Sequence, residues 1–387
     1  MIKYFSVKNF FSIKNEIIFE GDLGTNRNKS TPPHNAFVIY GANASGKTNF
    51  LKALTFILTF MQKSFFRQEP DQPISIEPFA LQQDQPTEFY LKILVNKYLY
   101  SYHLILTKEN VLFERLERSR NKNPIFERKE NKILYLKDFS LKEKEKVQEN
   151  LQSNVSLISF LSRLRSIKWA QDLTGFLVFS NITLKEKISK RVFEKEIAKL
   201  IAKIIKKPEE KSTILDLVKI ADTEIKDFYL KNSSKNFIVN LIKDDEKELK
   251  FVHEGESKNF ELDFKFESSG TKKIFLNALP ILEIINKGGV FIWDEISADL
   301  HFKIAEYIIN LFKNTKGQIF CTTHNPALIS SCFNKYTLWF TEKENGITDL
   351  YCAADFEELK RENDLDLELL YKIGRFGAVP RTFYPRG

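Results

Sequence analysis

Cysteine is scarce: Cys321, Cys332 and Cys352 are the three in 387 residues, an odd set without metal-ligand spacing. That argues against a disulfide framework and points to a reducing, cytoplasmic location. Long apolar runs are also missing. The longest, Ala53 to Met61, contains Thr55 and Thr59 and stops at Gln62, whereas a membrane span needs about 20 residues. No membrane partner is expected. Met1-Ile2-Lys3-Tyr4 leads straight into alternating residues, without the charged and apolar regions of a secretory leader. There is no internal repeat, and no heptad array is long enough for a coiled-coil arm.

What is present fits a soluble globular chain. Apolar residues make up 43% and charged ones 28%, which excludes wholesale disorder and collagen-like character. Phe contributes 35 residues, enough aromatic mass for a substantial core. The net charge is +8, from 59 basic and 51 acidic residues. Much of the excess is local: Lys185 to Lys211 holds ten basic and five acidic residues. Its lysine face, opposite an apolar face of Phe193, Ile197, Leu200, Ile201 and Ile204, reads either as a solvated surface or as a site for nucleic acid or protein.

Periodicity divides the chain. Ile2 to Val7 alternates, and a second alternating run reaches Phe19. Ala36-Phe37-Val38-Ile39-Tyr40 is a short apolar run of the buried-strand kind, and from Thr48 onward Phe50, Leu51, Leu54, Ile57 and Leu58 repeat at helical spacing. Phe89 to Leu116 has period two, an antiparallel meander turning at Asn96-Lys97. Leu141 to about Leu230 reads as mostly helical, and a strand is expected near Phe237 to Ile242. The last third reads as α/β, with a helix after Gly270 and strands at Val290–Trp293, Gln318–Cys321 and near Tyr336–Phe340. Three units are expected: residues 1–119, a mostly helical insertion at 120–235, and residues 236–387.

Gly41-Ala42-Asn43-Ala44-Ser45-Gly46-Lys47-Thr48, followed by Asn49, fits the phosphate-binding loop. Its glycines let consecutive N–H groups and the next helix N-terminus point at phosphate oxygens. Lys47 is placed to reach the β- and γ-phosphates of ATP, and the Thr48 hydroxyl to bind Mg²⁺. Gly289-Val290-Phe291-Ile292-Trp293-Asp294-Glu295 is an apolar strand ending in two carboxylates, a Walker B pattern. Asp294 suits the Mg²⁺ shell and Glu295 the general base. Gly270, in Glu267-Ser268-Ser269-Gly270-Thr271-Lys272, lies 24 residues before Asp294, and His324 lies 30 residues after it. A hydroxyl-rich helix start is an anion site, and an imidazole at a strand end can contact a γ-phosphate.

In that order these motifs resemble an ABC-type ATPase head of the SMC–RecF–RecN kind. Ser297-Ala298-Asp299-Leu300-His301 is similar to its D-loop, and Ile2 to Phe10 resembles its first strands. More narrowly, nearly the whole length, including Gly374 to Pro380, resembles the compact bacterial anti-phage ATPases RloA, the AbiL ATPase and AriA of the PARIS system. The resemblance implies an α/β fold: a P-loop head with an antiparallel β subdomain and a helical insertion. It implies ATP held with Mg²⁺ between two heads of a homo-oligomer. One head would supply Lys47, Thr48, Asp294, Glu295 and His324, and the other Ser269 and Gly270 with Ser268 at the same helix start; Asp299 of the D-loop would also be cofactor-binding. It also implies a sensor or control role in antiviral defence, with a TOPRIM-type nuclease as a separate effector and a phage-encoded protein as trigger. A RecF-like DNA-repair ATPase and a nucleotide-gated scaffold are the alternatives.

There are departures. The signature reads Ser-Ser-Gly-Thr rather than Leu-Ser-Gly-Gly, bulky Trp293 precedes Asp294, and Gln82, Gln83 and Gln85 all lie near a plausible Q-loop position. Only 63 residues follow His324, too few for a TOPRIM domain. Asp364, Asp366 and Glu368 read as a solvated helix face rather than a nuclease cluster. Cys321, near His324, reads as part of a strand rather than a thiol nucleophile.

Overall fold

Alternation along one strand, β3 (Ala36–Tyr40), sets how the layers stack. Phe37 and Ile39 face one hydrophobic core, while Ala36, Val38 and Tyr40 face another, because successive side chains leave a strand on opposite sides. A strand buried on both faces reads as an unbroken apolar run, as this one does. The computed structural model describes residues 1–23, 34–119, 123–164, 166–181, 208–230, 249–361 and 365–378.

Before β3 come β1 (Ile2–Lys8) and β2 (Ile17–Glu20), and after it α1 (Lys47–Arg67). A meander follows, of β4 (Thr87–Val95), β5 (Tyr98–Leu106), β6 (Val111–Arg118), β7 (Phe126–Lys129) and β8 (Lys132–Leu136). Then come α2 (Leu141–Asn150), α3 (Leu157–Leu161), α4 (Lys168–Thr174) and β9 (Leu177–Ser180). Next are α5 (Pro208–Lys219), β10 (Ile225–Leu230), β11 (Leu249–His253) and β12 (Phe260–Asp263). α6 (Ser269–Lys287), β13 (Gly289–Trp293), α7 (Phe302–Phe312), β14 (Gly317–Thr322) and α8 (Ala327–Cys332) follow in alternation. The described chain closes with β15 (Leu338–Glu344), β16 (Ile347–Cys352), α9 (Glu357–Arg361) and α10 (Leu367–Lys372).

These strands form three sheets. The central one has the order β16-β15-β3-β14-β13-β9, parallel except for β16 at one edge. The second is antiparallel, β2-β1-β4-β5-β6-β7-β8, and the third is the small sheet β10-β11-β12. α1 fills the space between the first two, which is why Phe50, Leu54, Ile57 and Leu58 are all buried. The opposite face of the central sheet is covered by α5 to α8 and the small sheet. This is an α/β fold with an antiparallel β subdomain.

Between 120 and 235 the chain carries strands as well as helices, unlike the mostly helical reading. β7 and β8 extend the antiparallel sheet across residue 120. β9 adds a fifth parallel strand to the central sheet, with Leu177 opposite Gly289. A side chain on Gly289 would strike the Leu177 backbone, so this edge is open to β9 only because residue 289 has none. β10 occupies the end of the stretch read as helical, paired with β11. Four to six residues are too few to separate strand from helix by period. The basic segment 185–211 lies outside the described residues up to 207, as do Phe237–Ile242, Asp364 and the tail from 379.

Candidate functional site

Residues 41–46 connect β3 to α1 as a loop clamped from two directions. Gly46 has φ 108°, in the left-handed region that glycine adopts without strain, and a Cβ there would collide with the Thr348 side chain. Ser45 Oγ meets Thr341 Oγ1 at 2.7 Å, and Thr348 Oγ1 donates to the Ser45 carbonyl at 3.0 Å. Asn49 donates to Ser12 Oγ at 2.7 Å. Lys47 folds back over the loop, its Nζ donating to the carbonyls of Gly41 (2.9 Å) and Ala42 (3.0 Å). Burial lowers the Lys47 pKa, and the nearby Glu295 and Asp294 charges oppose that shift.

The carboxylates at the end of β13 reach this loop. Thr48 Oγ1 donates to Asp294 Oδ2 at 2.8 Å, joining residues 246 apart in sequence. Thr322 Oγ1 donates to Asp294 Oδ1 at 2.6 Å and accepts the Glu295 N–H at 2.8 Å. His324 Nε2 lies 3.0 Å from Glu295 Oε1. Asn43, Ala44, Ser45, Gly46, Lys47, Thr48 and Asn49 line a cavity of about 280 Å³ with Glu295, His324 and Lys343. Thr48 and Asp294 present oxygen only, the donor set that Mg²⁺ takes, so the residues present fit that ion.

Comparison with known proteins places the chain. Residues 36–330, well over half of it, match the family model described as "AAA domain, putative AbiEii toxin, Type IV TA system". The chain belongs to this AAA-domain family. A search of curated proteins finds no match. Similar solved structures include an Smc head bound to the C-terminal winged-helix domain of ScpA, at 13% identity and TM-score 0.45, covering 96% of this chain and 99% of that one. The SMC head domain from Thermotoga maritima matches at 13% identity and TM-score 0.43, covering 91% and 98%. An Smc head from Pyrococcus furiosus, bound to the C-terminal domain of ScpA, matches at 14% and 0.42, covering 97% and 98%.

The remaining motif residues of this AAA-domain chain gather elsewhere. Ser268 caps α6, its Oγ accepting the Thr271 N–H at 3.0 Å. Ser268 and Ser269 are exposed, and neither they, Gly270 nor Asp299 is among the residues lining the cavity at the glycine loop. Gly270 instead abuts Asp299: a Cβ on it would stand 2.9 Å from the Asp299 carbonyl oxygen. Glu267, just before the cap, is buried against His253 Nε2 at 2.8 Å, with Asp222 3.8 Å from Nδ1. Gln82, Gln83 and Gln85 belong to a loop pinned by Asn9, whose Nδ2 donates to the Gln82, Gln85 and Pro86 carbonyls. None of the three glutamines is among the cavity-lining residues.

Trp293 causes no obstruction. It is buried in the core on the α6 side, where Lys273 Nζ lies 5.6 Å from its ring. Cys321 is also buried, and burial pushes its thiol well above the usual range, which removes it as a nucleophile. Asp366 caps α10, and Glu368 accepts from Ser330 and Lys372, both at 2.6 Å.

Three supporting residues escaped the sequence reading. Asn181, just after β9, holds the Asp294 backbone at both ends: its Oδ1 accepts the N–H at 2.7 Å and its Nδ2 donates to the carbonyl at 3.0 Å. Lys273 Nζ donates to the carbonyls of Glu295 (3.0 Å) and Ala298 (2.5 Å). Thr322 bridges the two carboxylate residues. Only the strand-end position of Thr322, two residues before His324, carried any signal.

Proposed function

We propose that this chain is an ABC-type ATPase head that binds ATP with Mg²⁺, hydrolyses it between paired heads, and serves as the sensor or control subunit of an antiviral defence system. One observation carries the catalytic part: Thr48 is hydrogen-bonded to Asp294 while Glu295, paired with His324, opens on the same cavity. Lys47 neutralises phosphate charge once it turns from the Gly41 and Ala42 carbonyls. Thr48 and Asp294 hold Mg²⁺, which supplies charge neutralisation at the phosphates. Glu295 accepts the proton of the attacking water, and His324 orients Glu295 and meets the γ-phosphate. The backbone N–H groups of Asn43 to Thr48 cradle the phosphate oxygens. Ser268, Ser269 and Gly270 come from the second head, so the homo-oligomer completes the site, and Asp299 of the D-loop, against Gly270, also serves the nucleotide.

The defence reading is supported by the toxin–antitoxin description of the family and by the resemblance to RloA, the AbiL ATPase and AriA. The recognised chemistry all serves ATP, so the destructive activity belongs to a separate protein of nuclease type, with a phage-encoded protein as trigger. Steady-state hydrolysis and nucleotide binding test the assignment. Lys47→Ala abolishes binding, whereas Glu295→Gln retains binding and loses at least 100-fold in turnover. Unchanged turnover in Glu295→Gln removes that residue from the base role. Incubating the purified chain with DNA, RNA and tRNA, with ATP and Mg²⁺, should leave them intact. Cleavage that disappears in Lys47→Ala would place the effector in this chain.

A further inference from the structure

The hairpin of β15 and β16 flanks the phosphate loop on the side away from the hydrolytic residues. In the central sheet β15 borders β3 on one side, while β14, leading to His324, and then β13, leading to Asp294 and Glu295, lie on the other. Alternation puts Thr341 and Lys343 on the same face of β15, and the register places Thr348 directly opposite Lys343. Both threonines bond to Ser45, so this is the face turned to the loop. Phe340 is level with Tyr40, the last residue of β3. Lys343 therefore stands about 10 Å further along, at the height of the loop itself.

There its side chain lines the cavity. It is exposed, and its ammonium has no hydrogen-bond or ion-pair partner among the described residues. Charge gives a reason for a cation at this place. Lys47 and a Mg²⁺ held by Thr48 and Asp294 would bring three positive charges and Asp294 and Glu295 two negative ones, a net of +1 that falls short of the several negative charges of a triphosphate. Lys343 raises the sum to +2.

We infer that Lys343 is a nucleotide-binding residue whose ammonium pairs with the α- and β-phosphates, at the opposite end of the triphosphate from Glu295 and His324. The inference rests on the nucleotide reading above. Because ATP and ADP share those phosphates, Lys343 contributes equally to both and does not distinguish them. A lysine also tolerates replacement by arginine here, since either supplies a cation on a long stem.

Calorimetric titration of ATP and ADP with Mg²⁺ into the wild type, Lys343→Ala, Lys343→Arg and Lys47→Ala tests it. Lys343→Ala raises Kd for both nucleotides by the same factor, roughly tenfold. Lys343→Arg restores most of the affinity, and in turnover the Lys343→Ala loss falls on KM, in step with Kd. Unchanged ADP affinity in Lys343→Ala, with a wild type that binds normally, overturns the inference and leaves the nucleotide reading standing. A loss confined to ATP overturns it too, by moving the contact to the γ-phosphate. A wild-type chain that binds neither nucleotide overturns the nucleotide reading itself, and the inference with it.

Discussion

Glu295 carries φ 52°, a left-handed backbone for a residue with a side chain. Such conformations cost on the order of 1–3 kcal/mol and persist where the surroundings over-determine them. Here the surroundings are specific: the Thr322 hydroxyl takes the Glu295 N–H, and Lys273 takes its carbonyl. The same Thr322 hydroxyl donates a hydrogen bond to Asp294, so one side chain fixes both carboxylate residues. Thr322→Val keeps the shape and removes the hydroxyl. Turnover should fall about tenfold or more, with nucleotide Kd changed less than threefold, because positioning is lost while phosphate contacts remain. Steady-state kinetics beside a binding titration decide the point. An equal loss in both would mean that Thr322 acts on nucleotide binding instead.

Elements differ in how far the sequence exposes them, and the reason is context. β3, the loop and α1 were legible together because strand, glycine turn and helical period follow one another with no gap. The hairpin turn at Asn96-Lys97 was legible for the same local reason; both residues have positive φ, as a type I′ two-residue hairpin requires. β9 was not, since its four residues become a strand only by lying beside Gly289, more than a hundred positions away. Lys47, Thr48, Glu295 and His324 were legible as candidates and line one cavity, whereas Asn181 and Lys273 act through backbone groups that no motif records. Glu114 is a similar case: in sequence it is a charge in an alternating strand, yet it is wholly buried 3.0 Å from Arg128. It also accepts from Tyr102 (2.8 Å) and Ser156 (2.7 Å), tying β5, β6 and β7 to the start of α3. Glu114→Ala leaves the Arg128 charge buried without its partner and should cost about 3–5 kcal/mol. Urea denaturation measures it, and a loss under about 1 kcal/mol would show that the pair is not what joins these elements.

At the scale of the whole molecule, the exposed Ser268-Ser269 helix start is not among the residues lining the cavity at the glycine loop. In the proposed reading, a second copy brings such a helix start to the nucleotide. α6 begins at the signature and reaches the Walker B end through Lys273, while Gly270 rests on the Asp299 carbonyl. A head that closed on a partner would therefore feel the closure at Glu295. If that surface meets phosphate as proposed, Gly270→Asp brings a carboxylate to it, where like charge should oppose closure. It also crowds Asp299, which any side chain would do, so Gly270→Asn serves as the matched neutral variant. In a Glu295→Gln background, which should trap nucleotide if Glu295 is the base, ATP-dependent cross-linking between heads should be lost in Gly270→Asp. It should be retained at least in part in Gly270→Asn. Loss in both would assign the defect to the contact with Asp299 rather than to charge. Equal, undiminished cross-linking in both would count against head-to-head closure across this helix.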